Sequence, residues 1–203
     1  MIYVRDKNLR NTTRPESILV VDICDSRKIG RKYGDNFIKH IKERVENIMV
    51  PGFKGYNCLA IKDLGDGFMA TFEENEEAVR AAIHGFSIIQ RFNESDENLR
   101  IPIELRFAIH FGEVYINNDG DRQHNEVSMT FTIRDLTEKD RKKKSRVNPN
   151  FPDKNRILIS AKVYEDIKDI PDIRCKDLGF FKLKGSEELH PIYQIQLNII
   201  GGT

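Results

Sequence analysis

A central buried strand is predicted by residues 18–24, which read ILVVDIC. The run is apolar apart from Asp22, is rich in β-branched side chains and is too short for an independent helix. Such runs are typical of strands that are buried on both faces of a sheet. Because an unpaired buried charge costs on the order of several kcal/mol, Asp22 needs a cationic partner.

The rest of the chain alternates between helical and strand patterns. Apolar residues at helical spacing predict a long helix over 37–49 that stops at Pro51-Gly52, a second over 75–93 and a short one over 161–167. Strand patterns cover 56–64, 67–72, 103–116, 157–160, 174–181 and 191–197, whereas residues 127–136 fit either type. This order predicts an α+β fold in which helices pack on a central, mostly antiparallel sheet.

The chain length and charge limit the classes of protein that remain. The 203 residues suffice for one domain, and we place a polar N-terminal arm at 1–16 and one folded domain at 17–203. Lys and Arg number 33 against 32 for Asp and Glu, so we expect no nucleic-acid partner and a solvated loop at the basic run 141–146. No apolar run approaches the ~18 to 20 residues of a membrane span, which predicts a cytoplasmic protein without membrane contact.

Three cysteines, Cys24, Cys58 and Cys175, are odd in number and lie far apart in the sequence. This spacing fits neither a disulfide framework nor a thiolate metal site. We therefore expect buried thiols in a reducing compartment.

Two acidic residues occupy unusual positions. Asp22 lies inside the apolar run, and Asp66 lies between Gly65 and Gly67 in a turn that joins two predicted strands. If this hairpin lies beside the first strand, the two carboxylates converge, which suggests a site for a hard divalent cation. Alternatively, a lysine neutralises Asp22, and Asp66 only favours the turn conformation. The spacing alone leaves both interpretations open.

Four blocks resemble, in order, the signature motifs of class III nucleotidyl cyclase catalytic domains. They are VDICDS at 21–26, IKDLGDGFMATF at 61–72, RFAIHFGEV at 106–114, and DLG with LKG at 177–179 and 183–185. The resemblance covers about residues 17–197 and assigns the folded domain to nucleotidyl cyclase catalysis. It implies a ferredoxin-like class III cyclase fold and a head-to-tail homodimer with two composite active sites at its interface.

The resemblance also implies a metal centre. Asp22, Asp66 and the backbone carbonyl of Ile23 would hold two Mg²⁺ or Mn²⁺ ions. The substrate would be a ribonucleoside triphosphate, and the products a 3′,5′-cyclic nucleotide and pyrophosphate.

Three cations match family positions that act on the substrate. Lys62 would contact the base, Arg134 would stabilise charge on the transferring phosphoryl group, and Lys184 would bind phosphate. The partner protomer would supply Lys62 and Arg134 to each site. Without the resemblance, each has a plain interpretation: a half-exposed strand lysine, a surface helix arginine and a turn lysine.

Two departures concern the base and the ribose. Thr130 stands where the purine cyclases of the family have a ribose-anchoring Asn, and Gln123 stands where an acid helps Lys62 to read adenine. Because a site built for one hydrogen-bonding pattern rejects others, these changes argue against ATP. Tyr115, His124 and Gln123 are candidates for a new base contact.

In its size and its departures the chain resembles the stand-alone bacterial pyrimidine cyclases of antiphage defence. The resemblance implies that UTP or CTP is converted to a cyclic nucleotide that a downstream effector protein reads. Two alternatives stay open: an ordinary adenylate cyclase that makes cyclic AMP, and a non-catalytic cyclase-homology module that binds a nucleotide or partner.

Overall fold

A computed structural model describes residues 3–5, 9–95, 100–145 and 149–197 of the chain. Residues 1, 2 and 6–8 of the predicted arm lie outside the described residues, as do 198–203 at the end of the predicted domain. The division of the chain at residue 16 stays a prediction.

The described residues form ten strands and five α-helices. The strands are β1 (Tyr3–Val4), β2 (Thr12–Ile23), β3 (Ala60–Asp63), β4 (Gly67–Phe72), β5 (Leu105–Ile116), β6 (Arg122–Gln123), β7 (Arg141–Lys143), β8 (Arg156–Ser160), β9 (Cys175–Lys182) and β10 (Leu189–Ile195). The helices are α1 (Ser26–Tyr33), α2 (Asp35–Gly55), α3 (Asn75–Ser95), α4 (Asn125–Asp135) and α5 (Ala161–Ile167).

One sheet carries these strands in the order β1-β3-β4-β2-β5-β8-β10-β9-β7, and β6 pairs with β5. The β5–β8 pair is parallel, and the other described pairs are antiparallel. The expected α+β architecture with a mostly antiparallel sheet is therefore confirmed. Strand β2 is central because it pairs with β4 on one side and along its whole length with β5 on the other.

The two faces of the sheet are covered differently. Leu19 and Val21 of β2 share a core with Phe107 of β5 and with apolar residues of α2, α3 and α5. On the opposite face, Val20 and Ala108 belong to two smaller apolar clusters that include residues of α4. Because side chains alternate along a strand, Asp22 lies on the α4 face together with Val20. Asp22, one of the two predicted metal ligands, therefore lies on the side of the sheet opposite the main core.

One helix differs from the sequence-based expectation, and one ambiguous segment is helical. Helix α2 does not stop at Pro51-Gly52 but continues through Pro51 to Gly55. Its last turn carries Phe53, which is fully buried and packs edge-on against Phe72 at a ring distance of 6.2 Å. Burial of this ring outweighs the local helix-breaking tendency. In the segment 127–136, which fits either pattern, residues 127–135 lie in α4 and Leu136 caps its end.

The first strand is also longer than its apolar run. Strand β2 begins at Thr12, and residues 12–16 continue the pairing with β5 beyond Ser17, the last β2 residue that pairs with β4. We call residues 12–16 with their partners 112–116 the β2–β5 ribbon. The sequence does not indicate this part of the strand because its side chains are polar. Polar side chains are tolerated there because a two-stranded ribbon leaves them partly exposed to water.

Three smaller expectations can be compared with the structure. Cys24 and Cys58 are buried, Cys175 is partly buried, and burial raises the pKa of both Cys24 and Cys58 to about 11. In the basic run, residues 141–143 form the short edge strand β7, and Arg146 lies outside the described residues. Within the described ranges, no helix combines the length and the apolar character that crossing a membrane requires.

Gly67 provides a test of the close pairing between β2 and β4. A Cβ atom at Gly67 would lie 1.9 Å from the carbonyl oxygen of Val21 and 2.7 Å from the Cα of Asp22. We expect Gly67→Ala to lower the free energy of unfolding by about 3 kcal/mol or more, because two backbones would have to separate. The measurement is urea denaturation followed by circular dichroism.

Gly55→Ala is the matched control for this substitution. A Cβ atom at Gly55 would meet no other atom within 4 Å, so this variant should keep or raise stability by up to about 1 kcal/mol. Equal midpoints for Gly67→Ala and wild type would contradict the pairing geometry.

Candidate active site

Strand β2 and the β3–β4 hairpin bring the two acids to neighbouring positions. Asp22 pairs in register with Gly67, and the next backbone amide, of Ile23, donates a hydrogen bond of 2.9 Å to the carbonyl of Asp66. The hairpin turn therefore ends beside the C-terminal end of β2. From the sequence, we expect Asp22 and Asp66 to converge if the hairpin lies beside the first strand, and the hairpin does lie there.

The cationic partner of Asp22 is Arg106, from β5. The two residues are directly opposite in the β2–β5 pairing, and a guanidinium nitrogen of Arg106 donates a 2.6 Å hydrogen bond to Oδ2 of Asp22. Burial works against the charge on Arg106, but the hydrogen bond and the charge of Asp22 outweigh it and raise the pKa of Arg106. Sequence reasoning missed this pair, because strand alternation assigns a face and not a register partner.

One oxygen of Asp22 remains unsatisfied. The Asp22 side chain is only 6% exposed, and its Oδ1 is buried without a hydrogen-bond partner. A buried carboxylate oxygen in this state favours an additional cation, since a lone acceptor in an apolar setting is costly. Ion pairing with Arg106 thus leaves half of the carboxylate available.

Asp66 faces a more open environment. Its Oδ2 is 3.4 Å from the hydroxyl of Ser26, at the start of α1. It lines an open pocket of about 500 Å³ together with three basic residues, Arg27, Arg31 and Lys42. The pocket therefore places cationic side chains next to an acid, a combination that suits a phosphate-rich ligand with its metal ion.

The donor set fits a divalent cation that shares its coordination with a substrate. No group of three or more His, Cys, Asp or Glu residues in the described ranges could hold a metal ion. Asp22 and Asp66 supply two carboxylates, and Ile23, which would add its carbonyl, directly follows Asp22 and bonds Asp66 through its backbone amide. Mg²⁺ in proteins is commonly bound by one or two carboxylates, with substrate phosphates and water completing the shell. The set fits such an ion better than a metal held by protein ligands alone.

Lys62 has an acidic partner that the sequence did not reveal. Its ammonium group is 2.6 Å from Oδ2 of Asp121, in the loop between β5 and β6. Gln123, which stands where the resembling family has an acid, is exposed on β6 and pairs with Tyr115 of β5. An acid therefore contacts Lys62, but it lies two residues earlier in the chain than Gln123.

Thr130 and Arg134 both lie on α4 but make different contacts. Thr130 is fully buried, and its hydroxyl donates a 2.8 Å hydrogen bond to the carbonyl of Glu126, one turn earlier in the helix. The Arg134 guanidinium bonds both carboxylate oxygens of Asp135 at 2.9 and 3.0 Å and lies 5.2 Å from the centre of the Phe131 ring. Arg134 is thus held at the C-terminal end of α4.

Lys184 lies near the same end of α4. It is exposed and lines a pocket of about 320 Å³ together with Lys182, Phe131 and Asp135. The predicted phosphate-binding lysine and the helix end that carries Arg134 are therefore neighbours on the surface.

A buried polar relay connects α4 to the sheet. His110 of β5 is 3% exposed; its Nδ1 is 2.8 Å from the Ser160 hydroxyl, and its Nε2 is 2.5 Å from Oε2 of Glu126. Gly112 makes room for Glu126, since a Cβ atom there would lie 2.5 Å from the same oxygen. Burial lowers the pKa of His110, although the hydrogen bond to Glu126 acts in the opposite direction. A neutral ring can accept from Ser160 and donate to Glu126.

The fold of the chain is found in solved structures of cyclases. The adenylate/guanylate cyclase/hydrolase from Silicibacter pomeroyi has 21% sequence identity and a TM-score of 0.70, with 91% of this chain and 97% of that chain covered. The adenylyl cyclase CyaB from P. aeruginosa has 20% identity and a TM-score of 0.72, with 91% and 95% covered.

A third structure is the guanylate cyclase domain of RhGC from Catenaria anguillulae in complex with GTP, with 14% identity, a TM-score of 0.74, and 92% and 98% covered. No protein-family model and no curated protein matches the sequence. At these identities the likeness establishes the fold, and the expected class III cyclase fold is confirmed.

The His110 relay predicts a pH dependence of stability. The folded state lowers the pKa of His110 from its ordinary value of about 6.5. Below pH ~6.5, the unfolded chain therefore binds a proton at His110 more readily than the folded chain does. The stabilisation is therefore complete above pH ~6.5 and is lost progressively as the pH falls from this value to the lower pKa of the folded state. We expect His110→Gln to flatten the decline in the free energy of unfolding between about pH 7 and 5.

The control variant is His40→Gln, whose wild-type side chain is 74% exposed on α2. It should keep the wild-type slope in the same denaturation series. An unchanged slope in His110→Gln would show that another group causes the decline.

Proposed function

We propose that the protein is a nucleotidyl cyclase, which converts a ribonucleoside triphosphate to a 3′,5′-cyclic nucleotide and pyrophosphate. The observation that carries this proposal is the pairing of Asp22 with the β3–β4 hairpin. It sets a carboxylate with one unsatisfied buried oxygen beside the more open acid Asp66, on a cyclase fold. A non-catalytic module has no physical need for this arrangement.

Asp22, Asp66 and the carbonyl of Ile23 would hold two Mg²⁺ or Mn²⁺ ions. When bound, such ions activate the ribose 3′-hydroxyl as the nucleophile and neutralise the triphosphate. Arg106 fixes the Asp22 carboxylate through Oδ2, so that Oδ1 keeps one orientation. Arg27, Arg31 and Lys42 surround the pocket beside Asp66 and would attract the terminal phosphates.

We further propose a homodimer whose two active sites are composite. One protomer would supply Asp22, Ile23 and Asp66, and its partner would supply Lys62, Arg134 and Lys184. Lys184 lines a pocket with Asp135, the residue whose carboxylate Arg134 binds, which supports a joint action of Arg134 and Lys184 on phosphate from outside the chain. Arg134 would then exchange its exposed partner Asp135 for charge on the transferring phosphoryl group.

For the base, we propose that Lys62 and Asp121 form the reading pair. A neighbouring donor and acceptor match the amine and ring nitrogen of adenine, but cytosine presents the same two groups on its edge. The carbonyl and N–H of uracil complement the pair as well. The pair therefore reads an edge and does not by itself separate a purine from a pyrimidine.

A pyrimidine substrate, UTP or CTP, is our preferred assignment. It is supported by Thr130, whose hydroxyl is buried and bound to the helix backbone, so that it offers no ribose anchor like that of the purine cyclases. The second candidate is ATP, because the Lys62–Asp121 pair also complements the amine and ring nitrogen of adenine. By resemblance, the product would act in the cytoplasm on an effector protein of antiphage defence.

Product analysis tests the reaction and the base together. Purified protein is incubated with Mn²⁺ and each of the four ribonucleoside triphosphates, and the products are identified by mass spectrometry. We expect UTP or CTP to exceed ATP and GTP by more than about tenfold, because a mispaired buried polar edge costs ~1 to 3 kcal/mol. Dominant cyclic AMP would establish the second candidate, and absence of every cyclic product would refute cyclase activity.

Subunit mixing tests the composite site. Asp66→Asn removes a metal ligand, and Arg134→Ala removes transition-state stabilisation of about 10³-fold or more, so each homodimer should be nearly inactive. In a heterodimer of the two variants, one site carries both lesions and the other carries neither. Random exchange at equal concentrations should therefore restore about one quarter of wild-type activity.

Exchange itself is measured with differently labelled chains. A mixture that has exchanged but remains inactive would show that each site is built within one chain.

A further inference from the structure

Glu16 and Arg122 form an ion pair that is sealed from solvent. Their side chains are 0% and 1% exposed, and the guanidinium donates to both carboxylate oxygens, at 3.0 and 3.2 Å. The third nitrogen contact is a 2.7 Å hydrogen bond from Arg122 to the carbonyl of Gly120. Arg122 thus connects β2 to the start of β6 and, through Gly120, to the loop between β5 and β6.

Such a pair is poorly explained as a source of stability. Moving two charges out of water has a cost that their attraction often only balances, and apolar replacements of both partners are frequently neutral or stabilising. What a buried pair does reliably is to penalise every arrangement in which its members are apart. The useful question is which arrangement Glu16 and Arg122 fix.

The location of Glu16 shows which part of the chain is held. It is the first residue of the β2–β5 ribbon beyond the last pairing with β4, and its partner on β5 is Gly112. The loop that follows the ribbon returns towards β1 and its neighbour β3. A Cβ atom at Gly120 in this loop would lie 3.0 Å from the side chain of Val4 in β1. Arg122 therefore ties the far end of the ribbon back to the point where it leaves the sheet.

The loop held in this way presents Asp121. The backbone amide of Arg122 donates to Oδ1 of Asp121 at 3.0 Å, which leaves Oδ2 for Lys62. Asn117 closes the loop with two hydrogen bonds to Asp121. Its side-chain oxygen accepts from the backbone amide of Asp121 at 2.9 Å, and its backbone amide donates to the Asp121 carbonyl at 3.0 Å. Both the backbone and the side chain of Arg122 thus determine where the Asp121 carboxylate lies.

We infer that Glu16 and Arg122 are positioning residues that set the Asp121 carboxylate against Lys62, and so determine base selectivity. This inference rests on the proposed cyclase function, in which Lys62 and Asp121 read the base. Neither Glu16 nor Arg122 reaches the substrate. They act by fixing the distance between the reading pair and the rest of the site, which separates a one-ring base from a two-ring base.

The test removes both charges together. In the single variant Arg122→Met, Glu16 stays buried with Arg14 as its nearest cation, at 3.8 Å, and the melting temperature should fall by about 10 °C. The double variant Glu16→Met/Arg122→Met has no buried charge and should melt within about 3 °C of wild type. Its loop, however, has lost the tie to β2.

Two readouts follow on the double variant. Amide hydrogen exchange at Gly120 and Asp121 should accelerate at least about tenfold relative to wild type. The ratio of kcat/KM for the preferred triphosphate to that of the next best should fall at least about tenfold, while turnover of the preferred one persists. A merely structural role would leave this ratio unchanged once stability is restored.

The control is Arg80→Met/Asp172→Met. This pair is also bidentate, at 2.7 and 3.1 Å, but it is exposed and joins α3 to the segment before β9. Stability, exchange at Gly120 and Asp121, and the selectivity ratio should all stay at wild-type values.

The inference is overturned if the double variant keeps wild-type exchange at these amides, or if exchange accelerates while the ratio stays constant. A wild-type protein that makes no cyclic nucleotide refutes the proposed function instead. In that case the exchange measurement alone decides whether the pair positions Asp121.

Discussion

Asp22 lies in a strand that is otherwise apolar and buried, and Arg106 on the adjacent strand stabilises its charge. This contact constrains more than one residue. A shift of one position between β2 and β5 would move Arg106 to the opposite face and leave a carboxylate alone among apolar side chains. The same register sets Ile109 beside Leu19 in the main core. Ion pairing thus specifies the register on which the apolar packing depends.

The two faces of the sheet divide the physical tasks. The face under α2, α3 and α5 is lined by aliphatic and aromatic side chains and supplies most of the apolar burial. The face under α4 carries pairs of polar side chains from separate elements: Asp22 with Arg106, Glu16 with Arg122, and Glu126 with His110. Such pairs add little net stability, but each excludes arrangements that separate its members.

Patterns within one segment made the elements predictable, and contacts between segments did not follow from them. Alternation along residues 105–111 puts Arg106 and His110 on one face, but only the three-dimensional pairing shows that Arg106 contacts Asp22 and that His110 contacts Glu126. The glycines around Asp66 indicated the hairpin because a turn is a local feature. Asp121 escaped notice because loop length, which sequence patterns specify weakly, decides which acid reaches Lys62.

The division between the faces also explains how one fold accommodates very different sequences. Solved cyclases at 14–21% identity share the fold over about nine-tenths of this chain, although few of their side chains are the same as those of this chain. An apolar core tolerates exchange of its side chains when volume and pattern are kept. A polar pair on the α4 face can be replaced as a whole without leaving an unpaired group. Replacing only one member of the pair would leave its partner unpaired. Selectivity of the site can therefore change by replacing pairs, while the opposite face continues to stabilise the domain.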